Sequence, residues 1–180
     1  FVSGAAHVWE QAPCPVLSAR VTDQTATLSA DQIQTLEQTL RAFETRKGSQ
    51  IAVLMVASTA PETVEQYALR VAETWKLGRK KVDDGALLIV AKNDRALRIE
   101  VCYGLEGALN DATSKRIISE VILPQFAQGN FYGGINDGVN RMMAVVEGES
   151  LPSPKTTSEQ EAGGLRQYAS MLVIVALVIG

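Results

Sequence analysis

The sequence predicts an α/β domain in which a small mixed sheet lies between helices. Two short, continuous apolar runs, residues 51–57 and 86–90, have the length and β-branched content of strands buried on both faces. Between them Val64, Tyr67, Ala68, Val71 and Trp75 recur at helical spacing. Strand, helix and strand at this length make a βαβ unit, so the two strands run parallel with a right-handed crossover. Beyond the second run, Leu97, Ile99 and Val101 alternate with Arg98 and Glu100, as in a half-exposed antiparallel hairpin strand.

In chain order, residues 1–28 show no helical periodicity, and Pro13 and Pro15 hold the stretch extended. Ser29 and Gln32 then form a capping box, and Ile33, Leu36, Leu40 and Phe43 line one face of a helix that Gly48 stops. Pro61 opens the second helix and Gly78 ends it. Lys92-Asn93-Asp94-Arg95 is the tight turn of the hairpin. Asp111 is placed to cap a third helix with Ile117, Ile118, Val121 and Ile122 on its inner face, ending near Pro124. A fourth carries Ile135, Val139, Met142 and Val146 and stops at Gly148.

The 180 residues suit one domain with tails, divided as an extended tail 1–14, a domain 15–148, a linker 149–164 and an apolar end 165–180. The linker is read from its Ser, Pro, Gly and Glu content. The uncharged run 171–179, MLVIVALVI, is about half of the ~20 residues a membrane span needs, and is read as the start of a truncated transmembrane helix. A net charge of −3 excludes a nucleic-acid surface, which needs clustered excess Lys and Arg. Two cysteines, Cys14 and Cys102, make neither a disulfide framework nor a zinc site with the single His7. One bridge between them stays open in an oxidising compartment.

Four segments together are similar to the signatures of one family. They are Arg20-Val21-Thr22-Asp23, Asp83-Asp84-Gly85, Tyr103-Gly104-Leu105-Glu106-Gly107, and Phe126-x-x-Gly129-x-Phe131-Tyr132-x-Gly134. On them the chain resembles the TPM-domain family over roughly residues 15–148, departing at Cys102, where relatives usually carry Gly. The resemblance implies a Rossmann-like αβα sandwich and, in some members, a bound divalent cation. It also implies an extracytoplasmic domain ahead of a membrane span, in the periplasm or on the cell surface. The family is often labelled a phosphatase family, while other members assist assemblies or receptors, so no single activity transfers.

The residues themselves point to one constellation. A hairpin of strands 86–90 and 96–101 brings Asp83 and Asp84 to the same sheet edge as Glu106 and Asp111. Converging carboxylates without an internal base suit a hard cation, calcium or magnesium. Asp23 joins them only if its loop folds to that edge. The structural alternatives are a turn at Asp84-Gly85, an N-cap at Asp111 and a merely exposed Glu106.

Other motifs fall away. Cys14-x5-Arg20 has the spacing of a cysteine phosphatase loop, but it holds Pro15 and no Gly, and no helix follows directly. Gly104-x-x-Gly107 lacks the first glycine of a dinucleotide fingerprint, and no organic cofactor is implied. Phe126, Phe131 and Tyr132 suit a helix junction better than a ligand box. The expectation is a membrane-anchored, cation-binding interaction or assembly module with an envelope protein as partner; the alternative is a weak metal-dependent acid phosphatase.

Overall fold

The computed structural model describes residues 10–148 and Leu151. The chain divides into units of residues 1–150 and 151–180, and everything below concerns the first. His7, Trp9, the apolar run 171–179 and the linker apart from Leu151 lie outside the described residues.

Four strands form one sheet in the order β1-β2-β3-β4: β1 (Val21–Asp23), β2 (Gln50–Val56), β3 (Gly85–Ala91) and β4 (Ala96–Val101). The first three are parallel and β4 is antiparallel to β3, as the apolar runs and the hairpin turn predict. The αβα sandwich is thus present, with one strand more than the sequence reading had. β1 is only three residues long, too short to show alternation, and its pairing with β2 is purely tertiary.

Helix α1 (Ala30–Lys47) begins at the expected capping box: Gln32 N donates to Ser29 Oγ (3.2 Å) and Ser29 N to Gln32 Oε1 (2.9 Å). It buries Leu36, Leu40 and Phe43 completely. Helix α2 (Val64–Trp75) starts later than Pro61 suggests, because Thr63 and Gln66 form a second capping box. Its inner stripe packs on Ala52, Leu54, Val56, Leu87, Ile89 and Ala91. Strand alternation sends Ile51, Val53, Met55, Leu88 and Val90 to the other face, that of α1 and the C-terminal helices. β1 to β2 and β2 to β3 step the same way across the sheet while α1 and α2 cover opposite faces. The two crossovers are therefore of opposite hand, and the usual right-handed rule holds for only one.

The C-terminal layer corrects two expectations. Asn110, not Asp111, caps α3 (Asp111–Ile117), its side chain accepting from Thr113 N at 2.9 Å. The chain also does not stop near Pro124. A π-helical turn, Ile118–Ile122, leads straight into α4 (Leu123–Ala127). Proline has no N–H and its ring crowds the preceding turn, which a widened turn relieves. The widening also rotates Ile118 and Val121 to half-buried positions, leaving Ile117 and Ile122 as the buried pair. Helix α5 (Phe131–Val146) lies close on this turn, where a side chain on Gly134 or Gly138 would meet Phe126 or Ile122. Phe126 and Phe131 fill the α4–α5 junction, ring centroids 4.9 Å apart, as the sequence predicts.

An extended strap before β1 crosses α2. Arg70 Nη2 donates to Ala12 O (2.6 Å), Tyr67 OH to Pro13 O (2.7 Å) and Trp75 Nε1 to Pro15 O (2.7 Å). Ala12–Cys14 of the expected extended tail are thus held against the domain. Both cysteines are free thiols: Cys14 Sγ lies against Pro15 O and Cys102 Sγ against Leu77 O.

Candidate functional site

Two of the signature segments meet at one corner of the sheet. The loop after α2 runs through Arg79–Asp84 into β3, while Tyr103–Leu105, a single 3-10 turn, follows β4. Gly104 N donates to Asp83 O (2.9 Å), Tyr103 N to Asp83 Oδ2 (3.2 Å), and Cys102 N to Gly85 O (2.9 Å). Backbone meets backbone at Gly104, where a Cβ would overlap Val82 O. The glycine is required by this approach rather than by a ligand. Cys102, at the departure from the family pattern, fits without disturbing the contact: its half-buried side chain packs on the α2-side cluster. Burial raises its thiol pKa, and the Asp83 carboxylate raises it further.

The five candidate carboxylates do not converge. Asp84 is 2% exposed and its oxygens are taken: Arg79 N (2.8 Å) donates to Oδ1, while Arg79 Nη2 (2.7 Å), Arg79 Nε (3.0 Å) and Ser49 Oγ (3.2 Å) donate to Oδ2. Burial raises the Asp84 pKa, but the Arg79 hydrogen bonds and charge outweigh it and hold the carboxyl below its ordinary value. Asp23 stands at the other end of the sheet. It pairs with Met55, which pairs with Val90, five residues and about 16 Å along β3 from Gly85. There it accepts from Thr25 N, Thr25 Oγ1, Thr27 N and Leu28 N, at 2.6–2.9 Å, and shapes the loop before α1. Burial opposes ionisation of Asp23 too, and those donors outweigh it, so its pKa is lowered. Asp111 is exposed and ion-paired with Lys115 (2.8 Å) and Arg98 (3.3 Å).

Asp83 and Glu106 remain. Both line a groove of about 740 Å³ between the end of α2 and the corner, together with Lys76, Lys80, Lys81 and Tyr103. Asp83 sits in the left-handed region (φ 57); among the described residues its Oδ1 accepts no hydrogen bond and the Glu106 side chain makes none. Among the described residues no three His, Cys, Asp or Glu side chains are placed to hold a metal ion together. The groove also has an apolar rim that the sequence does not announce: Leu69 and Tyr103 line it and are 49% and 80% exposed. Leu69 left a signal, since it is apolar yet lies off the inner stripe of its helix. Tyr103 left none, because its exposure depends on how the corner folds.

The fold and corner define a three-layer α/β domain with an open mixed sheet. Residues 21–145 match the family model described as the TPM domain, and the chain belongs to that family. It is similar to the N-terminal domain of a protein from P. gingivalis solved by NMR, with 34% identity, 73% of this chain and 84% of that chain covered, and a TM-score of 0.67. The BA42 protein of the psychrophilic bacterium Bizionia argentinensis is 25% identical over 66% of this chain and 81% of that one, with a TM-score of 0.58. The N-terminal domain of the cg2496 protein of Corynebacterium glutamicum shares the fold, with a TM-score of 0.56 at 15% identity, over 83% and 92% of the two chains. No curated protein matches the chain. Among the described residues no helix is long and apolar enough to cross a membrane.

Proposed function

We propose that this TPM domain is a binding module displayed outside the cytoplasm, anchored through the apolar run 171–179, with an envelope protein as its partner. A calcium or magnesium ion at the Asp83–Glu106 corner would order the loops that face that partner. The observation that supports this reading is the groove itself, where exposed Leu69 and Tyr103 share the lining with the carboxylates of Asp83 and Glu106. Exposed apolar side chains clustered at a polar groove are typical of surfaces that bind another protein. Two carboxylates supply only part of the roughly six to eight oxygens calcium takes, leaving the rest to backbone carbonyls and water. Weak binding, about 10⁻⁴–10⁻³ M as in extracellular modules, is therefore expected.

The test is a calcium and magnesium titration of the isotope-labelled chain followed by amide NMR. Saturable shifts at residues 82–85 and 102–107, lost in Asp83→Asn, support the cation site. No shift at millimolar metal removes it and leaves a cation-independent module. The phosphatase reading draws on Lys76, Lys80 and Lys81, cations in the same groove that would hold a phosphate ester. Metal-dependent hydrolysis of p-nitrophenyl phosphate that disappears in Asp83→Asn would make it the better account.

A further inference from the structure

The other end of the sheet carries a second groove, which the cation corner does not involve. The turn 92–95 between β3 and β4 forms its lip, and α4 with the start of α5 its far wall, enclosing about 880 Å³. Its apolar lining includes Leu97, Leu123, Phe126 and Phe131, with Leu123 43% exposed. Lys92 and Arg95 stand at the lip. Lys92 Nζ donates to Thr27 Oγ1 (3.0 Å) and lies 5.0 Å from the centroid of the Phe131 ring. Among the described residues the Arg95 side chain makes no hydrogen bond or ion pair; its backbone is held in the left-handed region (φ 51), with its N–H donating to Lys92 O (3.3 Å).

Among the described residues neither cation has a carboxylate partner and no acidic residue lines the groove, in a chain whose net charge is −3. Elsewhere Arg20, Arg46, Arg70, Arg79 and Arg98 each face a carboxylate of the domain itself. An apolar trough with two unneutralised cations at its lip is complementary to an anion that carries apolar groups. A second feature narrows the class. β4, which supplies Ala96 and Leu97 to the groove, is the outer strand, and among the described residues its far side has no strand partner. An unpaired strand edge offers main-chain hydrogen bonds to an extended chain. A fatty acid would use the trough and the cations but not that edge.

We infer that this groove takes an extended acidic peptide segment of a partner protein, its carboxylates against Lys92 and Arg95 and an apolar side chain over Phe126 and Phe131. The inference rests on the binding-module reading and names the partner's chemistry. The probe is the capped peptide Asp-Phe-Glu-Leu-Glu, compared with its Asn/Gln counterpart and with decanoate, in titrations of the labelled chain read by amide NMR. Saturable shifts at residues 92–97 and 123–131 are expected, with affinity about tenfold or more weaker for the neutral peptide and falling as salt is added. Arg95→Asn, which tolerates the left-handed turn, and Leu123→Glu on the exposed wall should each weaken binding while the melting temperature holds. Absence of saturable shifts, equal binding of the neutral peptide, or decanoate binding in preference to the peptide overturns the inference. Calcium shifts at 82–85 and 102–107 are read in the same spectra, so failure of the cation site and failure of the peptide groove are separate results.

Discussion

Gly104→Ala is the sharpest probe of the corner. A Cβ at 104 would overlap Val82 O and lie 2.8 Å from Asp83 O. Both are main-chain atoms, so no side chain can swing away and the 79–84 loop must move. That movement strains the packing by about 1–3 kcal/mol. It also takes about half the strength from two hydrogen bonds to Asp83, from Gly104 N and Tyr103 N, each worth about 1 kcal/mol when intact. The total is about 2–4 kcal/mol, which for a domain of this size lowers Tm by about 6–12 °C. Gly107, three residues on in the same signature, is the internal control. A Cβ there meets nothing within 4 Å, so Gly107→Ala should change stability by less than about 0.5 kcal/mol or raise it slightly. Thermal unfolding followed by circular dichroism separates the two variants. A Gly104→Ala protein as stable as the parent, or equal losses in both, would refute the backbone-contact explanation.

Asp84→Asn tests whether that carboxylate is structural. Because its folded pKa is depressed, its stabilisation is complete above the unfolded carboxyl value of about 3.9 and fades as pH falls through the lower folded value. The variant should be about 1–2 kcal/mol less stable at pH 7, a figure held down because Arg79 is largely exposed. Denaturant unfolding should show that gap closing below pH 4; a gap constant with pH would sink the assignment. Trp75→Ala should cost about 3–5 kcal/mol, since the side chain is 8% exposed and its Nε1–H anchors Pro15 O. An unchanged urea midpoint would contradict its place in the core. Tyr67→Phe removes only the hydroxyl that donates to Pro13 O, so a loss of about 1 kcal/mol is expected. Faster proteolysis near residues 12–15 would accompany it, and unaltered cleavage would show that the strap does not depend on this bond.

The acidic constellation shows how far one dimension carries. Asp83, Asp84 and Glu106 do reach one edge, because a hairpin brings the start of one strand beside the end of the next whatever surrounds it. Which oxygens stay open is another matter. Arg79, five residues before Asp84, closes that carboxylate, and only the path of the loop between them makes the contact. Arg98 and Lys115 do the same to Asp111, one of them across thirteen residues. The Thr63–Gln66 box is legible in the sequence and outweighs Pro61 as the helix start, whereas the π turn before Pro124 follows from the proline only once the helix is known to continue.

By itself the sequence determined the α/β class, the parallel pair with its antiparallel neighbour, the buried stripes of α2 and α5 and the family signatures. These depend on periodicity, caps and turns, which act over a few residues. The tertiary structure decided the pairing of β1, the opposite hands of the two crossovers, the separation of Asp23 from Asp83, and which charged groups keep a free face. Those depend on which distant segments meet, and local patterning carries no record of a contact between surfaces that are each polar or too short to show a period.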